Sequence, residues 1–289
     1  MRDVFYNCCC RMVVLLLPNI LQASHIVGGE MTYTCLGNDQ YEIALTIFRD
    51  CENGNPQAYF DDPAIVGIFN ARTGSLIRTT SLFLPSDDTL DLTRVNPCFT
   101  IVQDVCIHTT TYRQQIVLPF SPDGYHLVYQ RCCRNNVITN IFLPGSTGAT
   151  YETIIGPTAL SSCNSSPTYR DWPPFYICQG TSIDYDNSAT DVDGDSIVYG
   201  LFAPRQGAST TDPRPIIPSS PPFFPVSWRP PYNTSNMLGG PDPFRIDPQT
   251  GRLSGTPPNL GIFVVGICAK EYRNGVLISV TRRDFQYEV

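Results

Sequence analysis

Turn residues interrupt this chain before a long helix can form. Its 289 residues include 26 Pro and 21 Gly, and no apolar stripe of helical period runs for more than two turns. Each Pro removes a backbone donor and Gly costs a helix about 1 kcal/mol relative to Ala. What remains between the turns is short, alternating and rich in β-branched and aromatic residues. Residues 41–48 (YEIALTIF) place apolar side chains at every second position, and a dense turn from Asp50 to Pro56 follows. Residues 65–69 (IVGIF) and 76–80 flank a turn at 70–74, and 100–108, 112–118 and 125–131 read as further strands. Strand signals recurring roughly every 8–12 residues between turns predict an all-β sandwich.

A second unit begins near residue 159. Residues 176–185 and 196–202 read as strands around an acidic turn, 244–254 as a hairpin, and 261–270 and 275–289 as closing strands. Between them, residues 213–232 hold eight prolines interleaved with Phe223, Phe224, Trp228 and Tyr232. Such a segment cannot pair as a central strand and reads as a long extended loop. Before the first strand, Arg2 and Arg11 precede an apolar run at 12–17 (MVVLLL), and Ala23 stands before Ser24. The run falls well short of the roughly 20 residues a membrane span requires. It predicts a secretory signal peptide cleaved after residue 23. The expected layout is therefore a leader at 1–23, one β-sandwich at 24–158 and a second at 159–289, disulfide-stapled and in tandem, with no transmembrane segment after cleavage.

Export sets the reading of the cysteines. Beyond the leader stand Cys35, Cys51, Cys98, Cys106, Cys132, Cys133, Cys163, Cys178 and Cys268. There is no CxxC spacing and there are three His, a poor set for zinc; an oxidising compartment favours disulfides. Short loops predict Cys98–Cys106 and Cys163–Cys178. Cys132 and Cys133 are read as adjacent within the strand-like run that begins at Tyr125, where neighbours face opposite sides, so each is expected to reach a different partner among Cys35 and Cys51. Cys268, in the apolar run FVVGIC, is expected to remain a free thiol.

The net charge of −7 and pI near 4.9 make a phosphate backbone an unfavourable partner, so nucleic acid is not expected. No GxSxG, HExxH or P-loop pattern occurs. The pairs Asp61-Asp62 and Asp87-Asp88 sit beside turn formers and read as solvated turns, and His108 and His126 as ordinary strand residues. The sharpest motif is Asp191-Val192-Asp193-Gly194-Asp195. Three carboxylates at alternate positions converge if the chain curls at Gly194, and a hard cation relieves their repulsion. Alone, the pattern fits a calcium loop and a solvated acidic turn equally well.

The order of motifs around this loop resembles the cadherin-like, immunoglobulin-like modules of bacterial surface proteins. After the DVDGD loop come Asp247-Pro248-Gln249-Thr250-Gly251-Arg252-Leu253-Ser254-Gly255-Thr256-Pro257 and, late in the chain, Glu271. The first half, with Ser24–Tyr33 (SHIVGGEMTY), Phe48-Arg49-Asp50-Cys51 and Tyr129–Asn135 (YQRCCRN), resembles the N-terminal region of gliding-motility-associated, type IX-secreted proteins of Bacteroidota. The resemblance implies a non-catalytic adhesin-like module at the cell surface, with further C-terminal domains in a longer protein. It implies calcium held by Asp191, Asp193, Asp195 and Glu271. The implied partner is a cell-surface protein or polysaccharide. A second reading is a carbohydrate-binding accessory module of a secreted polysaccharide-degrading system, with Trp172 and Trp228 as an aromatic platform. The rival role for these aromatics is to pin loops onto the sandwich.

Overall fold

The computed structural model describes residues 26–50, 59–85, 88–90 and 107–289. The leader, Cys51, Cys98, Cys106 and the expected Cys98–Cys106 bridge lie outside the described residues. In chain order the strands are β1 (Ile26–Gly37), β2 (Gln40–Asp50), β3 (Ala64–Asn70), β4 (Leu76–Leu82), β5 (Asp88–Leu90), β6 (Ile107–Val117), β7 (Tyr125–Arg131) and β8 (Ala149–Ile155). A short helix α1 (Pro157–Ser162) leads to β9 (Thr168–Tyr169), β10 (Ile183–Asp186), β11 (Ala189–Thr190), β12 (Ser196–Leu201), β13 (Arg245–Ile246), β14 (Arg252–Gly255), β15 (Ile262–Arg273) and β16 (Val276–Glu288).

Alternation decides which face each strand buries. In β2, Tyr41, Ile43, Leu45 and Ile47 are buried and the residues between them are less so. β2 pairs antiparallel with β6 along its whole length, from Gln40↔Val117 to Asp50↔Ile107. The sequence suggested two strands in this region. Thr109, Thr110 and Thr111 are β-branched and continue the ladder, so the described part is one strand. The hairpin between β15 and β16 closes on Asn274 and Gly275 alone, both at positive φ (52° and 79°). Two such residues in a row match the right-handed twist of the flanking strands.

The central structure is a seven-stranded sheet in the order β12-β15-β16-β1-β2-β6-β5. A four-stranded sheet, β4-β3-β7-β8, packs on its first-half portion. The buried side chains between them include Met31, Ile43, Leu45, Val66, Ile68 and Leu127. A second core forms around Phe244, Leu253, Phe263, Val265, Ile267 and Phe285, roofed by the small β10-β14-β13 sheet and the long loops. The two cores share one sheet, because β1 pairs with β16 at Gly29↔Asp284 and Glu30↔Arg283. The expected tandem of separate sandwiches is not confirmed: β1 belongs to one half of the sequence and β16 to the other. The proline-rich segment makes no central strand. It touches its neighbours through single bonds such as Val226 N–H to the Pro204 carbonyl (2.8 Å). No helix among the described residues is long and apolar enough to cross a membrane.

The disulfides differ from the expected pairing. Cys163 caps the C-terminus of α1 in the left-handed conformation (φ 51°) and bonds Cys35 on β1, at a Cα separation of 5.4 Å, rather than Cys178. Cys178 is itself disulfide-bonded. Cys132 and Cys133 bond each other, joined by a cis peptide. β7 ends at Arg131, so the strand alternation expected to send the two cysteines to opposite faces does not extend to them. Cys268 on β15 is a buried free thiol.

Candidate metal centre

The acidic loop lies between β11 and β12 and is curled by its own first residue. One Asp191 carboxylate oxygen accepts the backbone N–H of Asp193 (3.0 Å) and of Asp195 (2.8 Å). Gly194 sits at φ +80° with open space around its missing Cβ, so the turn requires Gly for its backbone conformation and not for room. β12 starts immediately after Asp195 and pairs with the far end of β15, setting Ile197 opposite Glu271. A register irregularity follows Glu271 in the β15–β16 ladder. Carboxylate oxygens of Asp191, Asp195 and Glu271 thereby come within 4.8 Å of one another.

Asp193 does not join them. Its carboxylate turns to the segment after α1 and accepts the Ser165 N–H at 2.7 Å. The three aspartates therefore do not surround one point as their alternate spacing predicts; the curl uses the middle one to fasten the loop. Two further residues complete the surroundings. Arg273 forms a two-pronged pair with Asp195, its Nε lying 2.8 Å from one oxygen, and also donates to the Asn164 side-chain oxygen at 2.7 Å. Asn164 donates to Glu271 Oε2 at 3.0 Å, and the Ser279 hydroxyl donates to the same oxygen.

Glu271 is fully buried. Its Oε1 and the buried Oδ2 of Asp191 accept no hydrogen bond from a donor among the described residues, while the Glu271 and Asp195 carboxyl groups meet each other. Burial pushes the Glu271 carboxyl up to about 8; the hydrogen bonds from Ser279 and Asn164 oppose that rise, and Asp195 and Asp191 add to it. Arg273 holds Asp195 below the usual carboxylate range, against the cost of burial. Buried oxygens without partners are costly, and these two belong to a cluster of hard oxygen donors of the kind that suits calcium. Arg273 pairs with Asp195, and among the described residues no ion pair reaches the carboxyl groups of Asp191 or Glu271. The donor set therefore fits a hard divalent ion through Asp191 and Glu271, with Asp195 shared between such an ion and Arg273.

Both tryptophans are half-buried and pack against neighbours. Trp172 lies against Phe48 with ring centroids 4.1 Å apart and stacks under the Arg283 guanidinium at 4.0 Å. Trp228 packs beside Ile138, Ile141, Val226 and Val264, and its indole N–H donates to Thr234 at 3.3 Å. Arg273 and Asn164 were not among the expected site residues. Arg273 stands two positions after Glu271, where an acidic loop needs a cation; Asn164 carries no comparable sequence signal.

Comparisons with protein-family models, with curated proteins and with solved structures find no match to this chain.

Proposed function

We propose that the chain is a non-catalytic extracellular module for binding or display at a cell surface, stiffened by a calcium ion. The supporting observation is the meeting of Asp191, Asp195 and Glu271 around two buried oxygens that no donor among the described residues reaches. Calcium at this place would tie the Asp191–Asp195 loop to β15. Through Asn164, next to Cys163, it would also tie the loop to the first half of the shared sheet. A module of this kind transmits load or presents surface, and rigidity between its halves serves both.

The test is thermal melting of the whole chain with about 10 mM calcium, with the same concentration of magnesium, and with chelator. Extracellular sites bind calcium at about 10⁻⁴–10⁻³ M. An ion held at 100 times its dissociation constant stabilises the fold by about 2.7 kcal/mol. The expected result is a higher midpoint in calcium than in chelator, with magnesium weaker because it demands a smaller octahedral shell. Equal midpoints in all three would sink the reading.

A further inference from the structure

A second site lies elsewhere, on the face where the turn at residues 71–74 meets β7, β8 and the proline-rich segment. Here a cleft of about 480 Å³ opens, within the range of small-ligand sites. Its floor is the buried pair His126–Glu152, with Nε2 and Oε2 2.7 Å apart. Arg205 and Arg282 line it, Phe223 forms one wall, and Arg72 stands at the rim, already paired with Asp123.

We propose that this cleft binds an anionic sugar ring, a uronate residue of an acidic polysaccharide. Three observations carry the inference. The first is charge. The chain as a whole is at −7, yet with Arg72 cancelled by Asp123 the lining sets the two guanidiniums of Arg205 and Arg282 against the single carboxylate of Glu152. The second is unspent hydrogen-bonding capacity. Arg205 Nε and Arg282 Nη1 lie 3.9 Å and 3.5 Å from Glu152 Oε1. Those distances are long for hydrogen bonds, and Arg282 Nη1 is buried with no hydrogen bond at all. Arg205 is steadied by a bond from its Nη1 to the Phe223 carbonyl (3.4 Å), which leaves its Nε as the donor set for an incoming carboxylate. The third is the wall. Phe223 meets His126 edge-on, centroids 5.8 Å apart at 72°, which holds an aromatic surface beside the two guanidiniums. Thr73 adds a polar group to the lining. A ring with an apolar face, a hydroxylated edge and one carboxylate matches this lining. This cleft owes nothing to the acidic cluster, so the two readings stand or fall separately.

The experiment is calorimetric titration of the whole chain at low ionic strength with trigalacturonate, glucose and inorganic sulfate. Trigalacturonate is expected to bind, to bind more weakly as salt is raised, and to outcompete sulfate; glucose is expected not to bind. Arg205→Gln is expected to weaken binding about tenfold, the loss of a charge-assisted hydrogen bond. Its backbone carbonyl, which accepts from Thr150, is retained in that variant, and an unchanged melting midpoint verifies the fold. Phe223→Ala, on the wall, is an independent second variant expected to weaken trigalacturonate and leave sulfate unaffected. No uronate binding, equal affinity for sulfate and trigalacturonate, or an unchanged affinity in folded Arg205→Gln would each overturn the proposal.

Discussion

Glu30 and Arg283 face each other across the β1–β16 ladder, 253 residues apart in sequence, joined by two guanidinium–carboxylate hydrogen bonds of 3.0 and 3.1 Å. Both side chains are buried. The guanidinium also lies between the rings of Tyr169 (4.2 Å) and Trp172 (4.0 Å) and donates to the Asp171 carbonyl. On the next residue, Asp284 pairs with the fully buried Arg134. Neighbouring strand residues face opposite sides, so each face of the sheet at this junction carries its own ion pair.

Arg283→Ala should therefore be among the most destabilising single changes in the chain. Removing one partner of a buried pair strands the other charge and costs about 3–5 kcal/mol. Arg283→Lys should recover little, because an ammonium cannot make the planar fork or lie flat between two rings. Urea denaturation at neutral pH measures both. Because the cores share this sheet, the wild type should unfold in one transition by near-UV and far-UV probes alike. A loss below about 1 kcal/mol would place this pair with ordinary surface bridges.

The Cys35–Cys163 bond makes a second prediction. It closes a 128-residue separation, and cross-links over long loops stabilise by about 2–5 kcal/mol, chiefly by restricting the unfolded chain. The double variant Cys35→Ala/Cys163→Ala should lose a stability in that range while keeping its β content. Peptide mapping without reduction should recover the two segments joined. Recovery of a Cys163–Cys178 peptide instead would contradict the arrangement.

The strands were legible in the sequence where one face is buried and the other wet. Residues 125–131 form β7, and the alternation in 41–48 marks the heart of β2. The pairing of β1 with β16 was not legible, since strand pattern carries no information about a partner 250 residues away. Nor was the disulfide pairing. Closing a loop near 130 residues rather than 15 costs only roughly 2 kcal/mol more, so short spacing is a weak guide. The same limit applies to the acidic site. The DVDGD spacing located the loop, and the strand register, which no local pattern encodes, selected Asp191 and Asp195 to meet Glu271 and sent Asp193 to Ser165.

That division of labour predicts an order among variants of the acidic cluster. Glu271→Gln and Asp191→Asn should each abolish the difference between calcium and chelator melting curves. Asp193→Asn should keep most of that difference while lowering the midpoint in both conditions, because what it loses is a charge-assisted bond to the Ser165 N–H, about 1.5–3 kcal/mol. Arg273→Gln removes the internal cation that competes for Asp195 and should strengthen the calcium response. If Asp193→Asn proved the variant most damaging to calcium binding, the ion would sit at the tip of the loop and not against β15.

Acid should weaken the fold through Glu152. Burial alone would raise its carboxyl, but the hydrogen bond to His126 and the charges of Arg282, His126 and Arg205 outweigh burial and hold it below the usual range. A carboxyl lower in the folded state than in the unfolded one contributes stability that is fully present above the unfolded value, about 4.3. That stability is lost as pH falls through the folded value, because the unfolded chain then takes up the proton first. Glu152→Gln should accordingly be less stable than the wild type at pH 7, by roughly the 1.5–3 kcal/mol of a charged hydrogen bond. The gap should narrow steadily below about pH 4. Urea midpoints for both proteins at intervals from neutral pH down to about pH 3 supply the check. Two curves that stay parallel across the whole range would show that the Glu152 proton is not coupled to folding.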